Sequence, residues 1–125
     1  KKRLVTKSPQ PQKDEKLAAK LLSVLDALEE SADMDGRSRS ALFITLPSKR
    51  FYPDYYQIIK KPIDLTTIRK RVKRGIYQTI DEFQDDITLL FNNARTYNIE
   101  GSQVYTDAIF LAKLCEDQIA DLRDE

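Results

Sequence analysis

Phe83, Ile87, Leu90, Phe91 and Ala94 recur at i, i+4, i+7, i+8 and i+11. That spacing places them on one face of an α-helix and scatters them over both faces of a strand. Three further stretches share the period. Leu17, Leu21, Val24, Leu25 and Leu28 form a stripe within residues 14–32, and Leu65, Ile68 and Val72 form a shorter one. Tyr105, Ala108, Ala112, Cys115, Ile119 and Leu122 form the last. Boundary residues agree with these spans. Thr79 with Glu82 three residues on makes a capping box, Asp64 and Ser102 are N-caps, and Gly75 is a terminator. "DYYQIIK" adds a short helix, with Pro53 in its first turn. No convincing strand alternation is present. The expectation is an all-α, antiparallel four-helix bundle with one long loop between the first and second long helices.

Composition narrows the function. The chain of 125 residues has no His and a single Cys, Cys115, at an apolar helical position that reads as core. Without His the commonest general base is missing, and the acids lack a ligand-like spacing. Neither catalysis, metal nor cofactor is therefore expected. The adjacent Asp85 and Asp86 read as solvated surface. No apolar run approaches the roughly 18 residues of a membrane helix. The first 13 residues carry five basic groups, no acid, and Pro9 and Pro11. They read as a disordered basic flank, leaving 14–125 as the folded domain. Residues 49–74 carry nine basic and two acidic groups, residues 75–125 three and eleven. This asymmetry admits two readings: solvated faces, or contact with a polyanion through Arg69, Lys70, Arg71, Lys73 and Arg74, helped by Lys1, Lys2 and Arg3.

Two connections hold more apolar and aromatic material than solvated loops need. One runs from Leu46 to Tyr56, the other from Tyr97 to Val104. In a four-helix bundle they lie at the same end, where together they can wall a small apolar cleft. Asn98 sits between two apolar stretches at a helix end. It serves either as a C-cap or as a polar group facing a ligand.

"YPDYYQIIKKPIDLTTI" followed by "NARTYN" and a Gly soon after resembles the bromodomain family over about residues 15–122. Within it, "LPSKRFYPDYY" and "EGSQVY" are most similar to the bromodomains of polybromo and of SWI/SNF- or RSC-type remodelling ATPases. The resemblance implies a left-handed bundle that reads acetyl-lysine on histone tails in the nucleus, as part of a chromatin-remodelling protein. By position, Asn98 matches the amide that binds the acetyl carbonyl, and Tyr55 the tyrosine that reaches it through water. Val104 falls at the gatekeeper position, and Tyr97 and Ala94 line the wall. Leu46 and Pro47, with Ser48, replace the common Trp-Pro-Phe shelf, and Phe51 and Tyr52 complete the expected site. A monomer is expected for the isolated domain. Two other classes remain, a helical nucleic-acid-binding module and a protein-interaction bundle without a pocket.

Overall fold

The computed structural model describes residues 14–125. The basic flank 1–13, with Lys1, Lys2 and Arg3, lies outside the described residues. Five α-helices follow in order: α1 (Glu15–Glu30), α2 (Pro53–Ile58), α3 (Leu65–Lys73), α4 (Ile80–Tyr97) and α5 (Gln103–Arg123). A single 3-10 turn, Ala41–Phe43, interrupts the α1–α2 connection. Among the described residues the only β pairing is an isolated bridge, Ala32 to Ser38.

Local chemistry sets the helix ends. Thr79 Oγ1 accepts from the Glu82 N–H, while Glu82 Oε1 accepts from the Thr79 N–H, closing the capping box at α4. Ser102 caps α5 through the Tyr105 N–H. At the end of α3 the Gly75 N–H bonds the Val72 carbonyl and the Ile76 N–H that of Arg71. This Schellman pattern needs a left-handed residue, and Gly75 supplies it at φ +72°.

Helices α1, α3, α4 and α5 make the bundle. α4 packs most extensively on α5; α1 lies against α3 and α5, and α3 against α4. The short connections 74–79 and 98–102 make their neighbours antiparallel. Leu21, Leu25, Leu28, Leu65, Ile68, Phe83, Phe91 and Leu111 are fully buried between them. Two core residues of α5 fall outside the expected stripe. Leu111 belongs to the core, and Asp107 is buried because Arg37 reaches it with two nitrogens at 2.9 Å each.

That contact also shows how the long connection is ordered. Asp33 accepts from the Asp35 and Arg37 N–H groups, which turns the chain, and Arg37 ties the turn to α5. Buried Ser40 donates to the Glu29 carbonyl at 3.3 Å. Phe43 enters the core and meets Phe91 edge to face, centroids 5.3 Å apart. Further on, Thr66 bonds the Ile44 carbonyl through both its N–H (3.1 Å) and its hydroxyl (2.7 Å). The connection is therefore a laced cover over one end of the bundle.

The surface assignment of Asp86 needs correction. Asp86 accepts from Arg71 at 2.6 Å and from the Tyr77 hydroxyl at 2.5 Å, and is half-buried. The pair joins α3 to α4. Asp85 stays exposed.

Candidate ligand cleft

Both apolar connections do meet at one end, and a cleft of about 420 Å³ opens between them. The first connection contributes Ala41 to Phe43 and Thr45 to Pro47; Tyr52 and Tyr55 come from the start of α2. Ile63 and Asp64 precede α3. Leu90, Ala94, Tyr97 and Asn98 descend from α4, and Val104 from α5. The helical period explains the α4 wall, because 90, 94 and 97–98 fall on one face.

Its shelf is held from two sides. The Tyr56 hydroxyl donates to the Pro47 carbonyl at 2.6 Å. Asp64, buried in the wall, accepts from the Leu46 N–H at 2.9 Å on one oxygen and from the Thr67 N–H at 2.8 Å on the other. One carboxylate thus caps α3 and fixes the shelf.

Tyr55 and Tyr97 meet edge to face, centroids 4.9 Å apart. The Tyr97 hydroxyl donates to Asp54 at 3.1 Å. Burial, then the neighbouring Tyr56, Tyr97 and Asp64, push the Tyr55 phenol above its ordinary value, so it stays protonated at neutral pH. Tyr55 is buried, yet no described protein group hydrogen-bonds its hydroxyl. A buried hydroxyl needs a partner, and a ligand or water in the cleft provides one.

Asn98 meets the first of its two readings and lines the cleft. It is the C-cap of α4, and its Nδ2 donates to the Ala94 carbonyl at 2.9 Å. This bond fixes which end of the amide is nitrogen. A side-chain amide has two N–H donors, so one remains for a ligand while the cap holds the group still.

Of the expected site residues, Asn98, Tyr55, Tyr97, Val104, Ala94, Leu46, Pro47 and Tyr52 all line the cleft. Phe51 does not. It is exposed, with the Arg50 guanidinium 5.5 Å from its ring centroid, because the turn closed by the Tyr52 N–H on the Ser48 carbonyl directs Tyr52 to the cleft instead. Phe43, Ile63, Leu90 and Asp64 line it without having been singled out. Phe43 and Ile63 lie in irregular segments, where no period marks an inward side chain.

The basic run is also less free than its composition suggests. Arg69 pairs with Asp26 (2.9 Å) and Glu29 (2.8 Å), and Arg71 with Asp86. Lys70, Lys73 and Arg74 are exposed, and no described residue pairs with them.

A helical bundle with one end opened into a mostly apolar, amide-bearing cleft is a binding module. The chain belongs to the bromodomain family, whose model matches residues 22–109. It is 46% identical over 103 residues to the chromatin structure-remodeling complex subunit rsc4 of Schizosaccharomyces pombe, and 45% identical over 104 residues to snf21 of the same organism, also a chromatin structure-remodeling complex subunit. These matches cover 82% and 83% of the chain but 19% and 9% of the relatives. The bromodomain of human BAZ1A superposes with a TM-score of 0.73 at 33% identity, over 83% of this chain and 92% of that one. The bundle is left-handed, as in that family.

Proposed function

We propose that the cleft binds acetylated lysine side chains, those of histone tails foremost, as a nuclear reader within a chromatin-remodelling protein. One observation carries the reading: the Asn98 amide, with one N–H to spare, and the unpartnered Tyr55 hydroxyl belong to the same apolar cleft. An acetyl-lysine carbonyl suits both. Acetylation turns a hydrated ammonium into a neutral amide, and only the neutral group enters such a cleft without losing hydration it cannot replace. A spare N–H also repels an ammonium and attracts a carbonyl. The names of the relatives supply the setting, since rsc4 and snf21 are subunits of chromatin-remodelling complexes.

Calorimetry with paired acetylated and unmodified peptides tests this. The acetylated peptide should bind in the micromolar range, about −8 kcal/mol, and the unmodified one at least tenfold more weakly. Asn98→Ala should remove most of the acetyl-dependent binding, because a hydrogen bond lost in a desolvated site costs about 1–3 kcal/mol. Equal affinity for both peptides sinks the reading.

A second, weak contact with DNA phosphates is supported by Lys70, Lys73 and Arg74, which project from the end of α3 free of ion pairs among the described residues. Arg69 and Arg71 serve the fold instead.

A further inference from the structure

One guanidinium joins the long connection to the start of α5. Asp33 accepts from the Asp35 and Arg37 N–H groups, and Gly36 turns the chain at φ +83° just before Arg37. The two Nη atoms of Arg37 donate to the two oxygens of Asp107 at 2.9 Å each, and its Nε to Asp33 at 3.0 Å. The Gln103 amide faces the same group. With its oxygen turned to these donors, it accepts from Nη2 at 3.1 Å and from Nε at 3.2 Å. Among the described residues these are the only hydrogen bonds between residues 31–52 and α5. Arg39 touches α5 through a ring contact alone, with Phe110, farther along the helix. Asp107 is buried and has no partner but Arg37 among the described residues, so a carboxylate that water barely reaches depends on one fork of donors.

What this fork joins bears on the cleft. Gln103 and Asp107 bracket Val104 in the first turn of α5, and Val104 lines the cleft. The short connection that carries Asn98 ends at Gln103. On the other side Arg37 leads into Ala41, Leu42 and Phe43, which line the cleft from the first connection. We propose that Arg37 is a positioning residue for acetyl-lysine: it holds the first turn of α5, and Val104 with it, against the first connection, and so sets the width of the cleft. The inference rests on the acetyl-lysine reading above and adds what limits the size of the acyl group. Arg37 does not itself line the cleft, so it acts through the two walls it joins. Lys keeps the charge but has no planar fork to match both oxygens of Asp107.

Calorimetry on the full chain, well below its Tm, tests it with short Ala-flanked peptides bearing acetyl-lysine, propionyl-lysine or unmodified lysine. A cleft left too wide loses contact with the smaller acyl group first. In Arg37→Lys and in Asp107→Asn, acetyl-lysine affinity should fall about tenfold. The ratio of acetyl- to propionyl-lysine affinity should fall about fourfold, the contact of one methylene. Arg69→Gln is the control. Arg69 also ties two segments, α3 to α1 through Asp26 and Glu29, but lies away from the cleft lining. Its loss should lower Tm and leave the ratio as in the wild type, because lost stability alone does not sort acyl groups by size. An unmoved ratio in either folded variant, a shift toward acetyl-lysine, or the same change in Arg69→Gln overturns the proposal. If one of the two variants fails to fold, the other decides. A wild type that separates acetylated from unmodified peptide while the variants keep its ratio overturns this inference alone. Equal binding of acetylated and unmodified peptides by the wild type overturns the reader assignment and this inference with it.

Discussion

Asp64→Asn separates the shelf from the helix cap it shares. The two carboxylate oxygens do different work: one accepts from Thr67 N–H at 2.8 Å and the other from Leu46 N–H at 2.9 Å. Asn is as good an N-cap as Asp, so its single oxygen keeps the Thr67 bond. Its NH2 then faces the Leu46 N–H, donor against donor, at a buried position. The loss is one charge-assisted bond and one orphaned N–H, about 2–3 kcal/mol. For a domain of this size that lowers Tm by about 10 °C. Asp14→Asn is the control. Asp14 also accepts two N–H groups, from Lys16 and Leu17, but both on the same oxygen, so Asn can replace it. Its Tm should barely move. Leu46 forms part of the cleft, so acetyl-peptide affinity should fall about tenfold in Asp64→Asn, measured well below its Tm, and stay unchanged in Asp14→Asn. Similar melting of the two variants means the Leu46 bond contributes nothing, and the account of a held shelf is wrong.

Tyr55→Phe should leave Tm unchanged or slightly raised, since the hydroxyl has no protein partner to lose, yet weaken acetyl-peptide binding by less than Asn98→Ala does; a larger loss reverses the assignment of direct and indirect contacts. Burial pushes the Cys115 thiol from 9.0 up to about 12, so the folded state keeps a proton the unfolded chain releases. Stability present below pH 9 should therefore drain away as pH rises from 9 toward 12, and Cys115→Ala should flatten that slope in melting curves; an unchanged slope refutes it. For DNA, gel shifts with a random duplex should give a slope of log affinity against log salt of which Lys70, Lys73 and Arg74 contribute about −2.7, about −0.9 for each of three phosphates, with Lys1, Lys2 and Arg3 adding to it. Lys73→Glu with Arg74→Glu should abolish the shift, while Arg69→Gln should lower Tm and leave the shift in place. No shift at low salt makes Lys70, Lys73 and Arg74 ordinary surface.

Legibility in the sequence followed the range of the interaction. Helix spans, the capping box at Thr79 and the end at Gly75 rest on contacts within a few residues, which periodicity and cap chemistry display directly. The α4 wall, Ala94, Tyr97 and Asn98, is what the family resemblance implies, and these residues do line the cleft. Asp86 was misjudged because its partners, Arg71 and Tyr77, come from across a loop, and a helical surface position says nothing of them. Phe51, expected in the site, does not line the cleft, and neither a loop's composition nor a family resemblance fixes which of its side chains points inward.

The same reasoning explains why the first connection is long. An Asn at a helix end is a cap in any bundle. It becomes a recognition group only when something walls the space in front of it. Here the wall is irregular backbone, whose N–H and C=O groups need partners wherever the helices do not supply them. The chain meets that need with side chains brought from far along the sequence: Asp64 for Leu46, Thr66 for Ile44, Tyr56 for Pro47. Each of these bonds also sets the position of a group at or beside the cleft. Stability of the connection and shape of the site are therefore one set of interactions. Substitutions at Asp64, Thr66 or Tyr56 should then show in affinity as well as in melting, although none of the three is an apolar core residue.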